Sequence, residues 1–265
     1  MSLVRPPAVA GRFYPADVTV LSQMTHEYLD TAVSPPTPKI PKAIIAPHAG
    51  YIYSGPIAGS AYKSLQDRCQ QVTRVVLVGP AHTLRLRGLA TVSVDAFASP
   101  LGNVAVDREA VQKGLALPQV QSSDAAHAQE HGLEVHLPFL QTILESFAIV
   151  PFVVGEATST EVAEVLSLLW GDEETLIVVS SDLSHFYDYE TAVKLDSQTA
   201  QAIVNLQPEK LGQGSACGRL PIQGLLHQAN KHQLAAHQLD LRNSGDTAGS
   251  KDRVVGYGAF AFTNA

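Results

Sequence analysis

The chain has little of what staples, spans or coats. Only two cysteines, Cys69 and Cys217, occur in 265 residues. They lie far apart and form no C-x-x-C pair, which excludes a disulfide scaffold and leaves open a thiolate ligand or nucleophile. Positive charge is also scarce: 18 Lys and Arg against 25 Asp and Glu give a net charge of -7. No broad basic surface is expected to neutralise a phosphate backbone, so nucleic acid is excluded as a partner. No stretch approaches the roughly 20 apolar residues that span a bilayer, and MSLVRPPAVAGRFYP lacks a signal-peptide core. A cytoplasmic protein without a membrane partner is expected. Gly-x-Gly-x-x-Gly, Walker A, Gly-x-Ser-x-Gly and His-Glu-x-x-His motifs are absent, which argues against dinucleotide, nucleotide, α/β-hydrolase and zincin chemistry.

What is present is a foldable core. At 45% hydrophobic and 16% charged residues, with 19 Gly and 16 Pro, the chain is too apolar for disorder and too irregular for a coiled coil or collagen. Its length suits one domain, residues 1–265. Apolar positions at Val20, Leu21, Met24, Tyr28 and Leu29 predict an outer helix over 17–32, and Ser34 to Pro41 reads as a stiff extended connector. Strands are expected over 42–47, 74–79, 89–94, 148–154, 175–180, 233–241 and 254–262. Helices are expected over 55–68, 133–146, 159–170 (capped by Ser159 or Thr160), 190–205 and 221–230, with a short one started by Pro208. Residues 121–129 read as a polar loop. Buried strands alternating with helices predict an α/β fold: a mainly parallel or mixed central sheet with helices on both faces.

Three of the most apolar strands run into titratable residues: Ala43-Ile-Ile-Ala-Pro-His48, Val75-Val-Leu-Val-Gly-Pro-Ala-His82 and Leu176-Ile-Val-Val-Ser-Ser-Asp182-Leu-Ser-His185. In an open parallel sheet such strand ends share one edge, where ligands bind. Neutral imidazoles on rigid strand ends suit Zn, Fe or Cu, and Cys217, set in a glycine turn, offers a soft third ligand. Taken singly, His48 fits a hydrogen-bonded loop histidine and Asp182 a turn or cap residue; the repeat of the pattern favours a site. Glu130-His131-Gly-Leu-Glu134-Val-His136 reads either as a solvated helix start or as a site wall. Tyr51 and Tyr53 read either as core aromatics with their hydroxyls tied off or, because they follow His48, as the border of the same pocket, whereas Cys69 reads as packing.

Six ordered motifs carry a family resemblance: Gly11-Arg-Phe-Tyr-Pro15, Pro47-His-Ala-Gly-Tyr-Ile-Tyr-Ser-Gly55, Gly79-Pro-Ala-His82, Glu130-His-Gly-Leu-Glu-Val-His-Leu-Pro138, Ser180-Ser-Asp-Leu-Ser-His185 and Cys217-Gly-Arg-Leu-Pro-Ile222. Together they resemble the Memo-like family, whose microbial members are called AmmeMemoRadiSam system protein B. The resemblance implies a fold similar to the catalytic subunit of class III extradiol dioxygenases. It also implies a metal site of His48, His82 and Cys217, with His185 and Asp182 as neighbouring catalytic residues. Fe(II) or Cu is the implied metal, with Zn as the alternative. Phe13, Tyr53, Glu134 and His136 are expected on the substrate side. Vertebrate members are associated with phosphotyrosine peptides; where their cleft has a tryptophan, the local motif here offers Phe13 and Tyr14. The family name also implies a radical S-adenosylmethionine protein and a small companion as partners. Three functions follow as expectations: a metal-dependent redox enzyme on a small molecule or peptide, a zinc- or cysteine-based hydrolase, and a binding module using the same cleft.

Overall fold

A computed structural model describes residues 3–33 and 40–264 of the chain. The connector expected over Ser34 to Pro41 falls largely on 34–39, outside the described residues. In chain order the elements are β1 (Val4–Arg5), α1 (Val18–Asp30), β2 (Pro41–Ala46), α2 (Tyr51–Lys63), β3 (Arg74–Pro80), β4 (Leu89–Thr91), β5 (Ala96–Ser99) and β6 (Gly102–Val106). There follow α3 (Arg108–Leu115), β7 (Val120–Ser122), α4 (Asp124–Ala128), α5 (Leu137–Ile143), β8 (Ala148–Val154), α6 (Ser159–Leu168) and β9 (Thr175–Ser180). The chain closes with β10 (His185–Tyr187), α7 (Tyr189–Val204), α8 (Arg219–Lys231), β11 (Leu234–Asn243) and β12 (Val254–Asn264).

The strands form one mixed sheet in the order β1-β5-β6-β8-β3-β9-β2-β12-β10, with β11 on β12, and β4 bridging β7 and β8. Its centre, β6-β8-β3-β9-β2, is parallel throughout. Every residue of β9, and nearly every one of β2, β3 and β8, is buried without alternation. Such strands are stable only when both faces are covered. One cover is α1, α2 and α5, which pack on each other; the other is α3, α6 and α8. The α/β class with helices on both faces is therefore observed.

Parallel register is what positions the site. Val78 pairs with Val179 and Ala46 with Ser180, so β2, β3 and β9 end along the same edge. His48, His82 and Asp182 leave the sheet from that edge.

Several boundaries differ from expectation. Helix α2 begins at Tyr51 rather than Gly55, because Tyr53 and Ser54 already donate to the Gly50 carbonyl, and Pro56 lies inside the helix. The helix expected over 133–146 divides into a 3-10 turn, Glu134–His136, and the short α5 that starts around Pro138. The loop expected over 121–129 contains β7 and α4, the latter capped by Ser123. Thr158, one residue before the expected cap, closes α6 in a capping box with Glu161. Helix α3, capped by Asp107, was unforeseen; its single stripe is Ala110, Val111 and Gly114.

Helix α2 lies against α1 through glycine. A Cβ at Gly59 would sit 2.5 Å from the Tyr28 carbonyl oxygen, a backbone atom that cannot swing aside. Gly59→Ala gains helix propensity, worth up to about 1 kcal/mol, but overpacks the contact. We expect a net loss of about 1–3 kcal/mol in urea unfolding. A stabilised variant would mean that α1 does not seat there.

Candidate metal centre

The sheet edge gathers a compact set of imidazoles. One ligand atom from each of His48, His82 and His131 lies within 4.8 Å of the other two. The His82 and His131 rings stack at 4.6 Å, and the His48 ring stands edge-on to both, at 5.0 and 5.5 Å. On another side of His48, the Cys217 Sγ is 3.3 Å from Nε2. The turn that carries Cys217 is clamped to the end of β9: its N–H donates to the Asp182 carbonyl, and the Gly218 N–H to the Ser181 hydroxyl. A Cβ at Gly218 would lie 2.6 Å from the Ser181 Cβ, so this close approach requires glycine.

Hydrogen bonding decides which nitrogen each ring presents. The Ser180 hydroxyl donates its one hydrogen to the Gly132 carbonyl, which can only accept. Its lone pairs must then accept from His48 Nδ1, at 2.6 Å, and from His136 Nε2, at 2.8 Å. His48 is thereby the Nδ1–H tautomer, with the lone pair on Nε2 facing Cys217. His136, now an acceptor at Nδ1, takes the Tyr62 hydroxyl at 2.8 Å. The Glu130 carboxylate does the same for His82: it accepts from Nδ1 at 2.8 Å and leaves Nε2 available. Ligand imidazoles held through the far nitrogen by a carboxylate or hydroxyl are the arrangement metal sites use. The donor set therefore fits a divalent, imidazole-preferring ion.

Electrostatics agree. Burial, then the neighbouring imidazoles, drives His48 well below the ordinary histidine range, and His131 is lowered for the same reasons. Both are neutral and able to ligate at pH 7. Burial opposes ionisation of Glu130, but its bonds from His82 and Gly132 hold its carboxyl below the usual range. Burial, then the Asp182 carboxylate, pushes the Cys217 thiol up to about 12, so only a bound cation makes it a thiolate at pH 7. Burial also raises Asp182 to about 7, against the pull of the His48 N–H on its Oδ1 at 2.8 Å.

The residues expected at the site divide into those gathered and those set elsewhere. His48 and His82 fall in the imidazole cluster, whose third member is His131 rather than Cys217. Cys217 and Asp182 reach it through His48, with the Cys217 Sγ at 3.3 Å and the Asp182 Oδ2 at 4.0 Å from Nε2. His185 is half-buried, its Nδ1 on the Leu183 carbonyl at 2.8 Å. The Phe13 ring packs on His131 at 4.8 Å, and the partly exposed Tyr53 lies in the first turn of α2. His136 stands one layer behind His48, fully enclosed. Glu134 is turned away: it accepts from Arg5, the Ala8 and Val9 amides and the Tyr14 hydroxyl, all at 2.6–3.0 Å. Those four bonds make it the anchor of the N-terminal segment rather than a substrate contact. His131 as a possible ligand, Ser180 as the hub and Tyr62 as its outer partner were not foreseen. The signal for Ser180 is a hydroxyl ending a fully buried apolar strand.

An α/β sheet with an imidazole cluster at the carboxyl edge of its parallel strands, compatible with a metal ion, is the class that fold and site define. A family model described as Memo-like protein matches residues 5–261. The chain is 38% identical to a MEMO1 family protein of Ignicoccus hospitalis, covering 98% of this chain and 99% of the relative. It is also 38% identical to one of Aquifex aeolicus, over 96% and 97%. This chain belongs to the Memo-like family. Among solved structures it is similar in fold to an uncharacterized protein of Escherichia coli K12, with a TM-score of 0.53 at 16% identity, covering 81% of this chain and 98% of that one. Among the described residues, no helix is long and apolar enough to cross a membrane.

Buried neutral histidines near the site predict a pH dependence. Burial lowers His127 to about 4 and His136 to about 3, and His127 Nδ1 has no hydrogen-bond partner. Unfolded, both take protons near pH 6.5. Between pH 6.5 and 4 the unfolded chain therefore binds more protons, and stability falls as pH falls. Urea midpoints should decline below pH ~6.5 at up to about 1.4 kcal/mol per pH unit for each such histidine. In His127→Gln the slope should shrink by close to one proton; an unchanged slope would refute this assignment.

Proposed function

We propose that this chain is a mononuclear metal-dependent redox enzyme, holding Fe(II) or copper at His48, His82 and Cys217, with His131 alongside. The observation that supports this most is His48 itself, fixed by Ser180 as the Nδ1–H tautomer, with Nε2 3.3 Å from the Cys217 sulfur and the residue grouped with two further imidazoles. When bound, such an ion supplies one-electron redox change and open positions for dioxygen or substrate. The chain's own residues do the rest. His185 donates Nδ1–H to the Leu183 carbonyl, so its Nε2 is free to take a proton from a molecule in the cleft. Asp182, with one oxygen on the His48 amide, holds that loop in place. Phe13 and Tyr53 border the entrance. In keeping with the family resemblance, the substrate is a small molecule or peptide, and a radical S-adenosylmethionine protein with a small companion acts in the same pathway.

A second reading has its own support. Ile52, Leu84, Phe186 and Tyr187 are exposed apolar side chains within five residues of His48, His82 or His185. A rim of that kind suits a binding module whose cleft receives a peptide without turnover. A hydrolase with Cys217 as nucleophile is less well supported, because the thiol is raised rather than activated; a zinc-based hydrolase would use the same ligands as the redox enzyme.

Elemental analysis of protein prepared without air should find one equivalent of iron or copper, lost in both His48→Ala and Cys217→Ala while circular dichroism stays native. Metal retained in both variants would overturn the assignment. The loaded protein should consume dioxygen or peroxide above the level of Cys217→Ala; full loading with no such difference would favour the binding module.

A further inference from the structure

A cavity of about 330 Å³ adjoins the site on the Cys217 side, in the size range of small-ligand pockets. It opens between the loop after β3, the end of β8 and the start of α8. Pro80, Ala81 and Cys217 connect it to the imidazole cluster; Leu84, Val154 and Leu220 give it apolar walls. Its ionised lining is Arg85, Arg219 and Glu156, a local excess of positive charge in a chain of net charge -7.

Neither guanidinium is committed. Arg219 has no acidic partner among the described residues; its Nη1 donates to the neutral Gln223 Oε1 at 3.1 Å. Arg85 donates Nε to Glu156 at 2.9 Å, but both side chains are mostly exposed, and so solvated a pair yields to a better-placed oxyanion. The first residues of α8, Arg219, Leu220 and Pro221, line the cavity, so the positive end of the helix dipole lies beside it.

We propose that this cavity binds the anionic end of the substrate, the carboxylate or phosphate of a small organic acid, through Arg219 and Arg85, with its apolar body along Leu84 and Leu220 and its reacting end beside Cys217. Planar guanidinium forks suit either oxyanion. The assignment rests on the cleft being a site that takes a substrate, but it requires no bound metal.

The test uses metal-free, EDTA-treated full-length protein in thermal-shift titrations with inorganic phosphate and, separately, benzoate. Chloride holds ionic strength constant. A saturable rise in Tm is expected with at least one anion: phosphate alone would assign a phosphate end, benzoate alone a carboxylate on an apolar body. Arg219→Gln and Arg85→Gln should each weaken the apparent Kd by about 10-fold or more. Lys231→Gln, which removes a cation in the last turn of α8, at the opposite end from the cavity, should leave it unchanged. No saturable shift with either anion, or equal weakening in Lys231→Gln, would overturn the proposal. Metal loading of Arg219→Gln should equal wild type. A failed anion titration with normal loading therefore sinks the cavity alone, and failed loading of the wild type sinks the redox reading alone.

Discussion

The hydrogen bond from Ser180 to the Gly132 carbonyl is the constraint on which the rest of the site depends. It joins the end of the central strand β9 to the irregular segment that carries Glu130, His131 and His136. Because the hydroxyl has one hydrogen, spending it on Gly132 forces two imidazoles to donate to the same oxygen. One fixed donor thus sets the tautomer of His48 on the site side and of His136 on the core side. A buried network is worth its desolvation only when every member is satisfied, and this one closes at the Tyr62 hydroxyl.

The segment needs a second tie, and the chain's beginning supplies it. Glu134, with no exposure, pairs with Arg5 at 2.7 Å, and the same guanidinium donates to the His127 and Glu130 carbonyls. Replacing a buried pair of this kind by apolar residues often costs little; removing one partner strands a charge and costs several kcal/mol, roughly 3–5. The pair is thus weak evidence for stability and better evidence for placement. Glu130, four residues before Glu134, holds His82 while its backbone is held by Arg5, so the N-terminal strand and the site wall share one lattice of charged groups.

Much of this was legible in the sequence because it follows from strand chemistry. Continuous apolar runs ending in Pro-His, Pro-Ala-His and Ser-Ser-Asp announce buried parallel strands and the polar groups at their ends. What was not legible depends on tertiary bonding. Glu130 to His136 has the spacing of a helix face, yet side-chain bonds to Arg5, Tyr14, His82 and Ser180 bend it into turns, and the same bonds turn Glu134 away from the cleft. His131 had no pattern of its own beyond standing next to Glu130; its closeness to His48 and His82 comes from the fold of that turn. The helix expected from Gly55 begins four residues earlier, directly after His48, because the Tyr53 and Ser54 amides already close on the Gly50 carbonyl, a backbone bond that side-chain pattern does not announce.

Five histidines in and around the cleft, at positions 48, 131, 136, 185 and 127, all have their protonation disfavoured by burial. A core built for stability alone would put leucine or phenylalanine there, since neutral imidazoles bury polar atoms and lose ground as pH falls. Suppressed basicity is useful in one circumstance: when the lone pair must remain free for something other than a proton. The same burial that keeps the Cys217 thiol protonated means that a cation bound there must displace the thiol proton, and the low dielectric then strengthens the attraction between the two opposite charges. Burial, which reads as a penalty residue by residue, thus acts across the cluster in one direction: protons are held off, and the lone pairs stay open in an arrangement compatible with a metal ion.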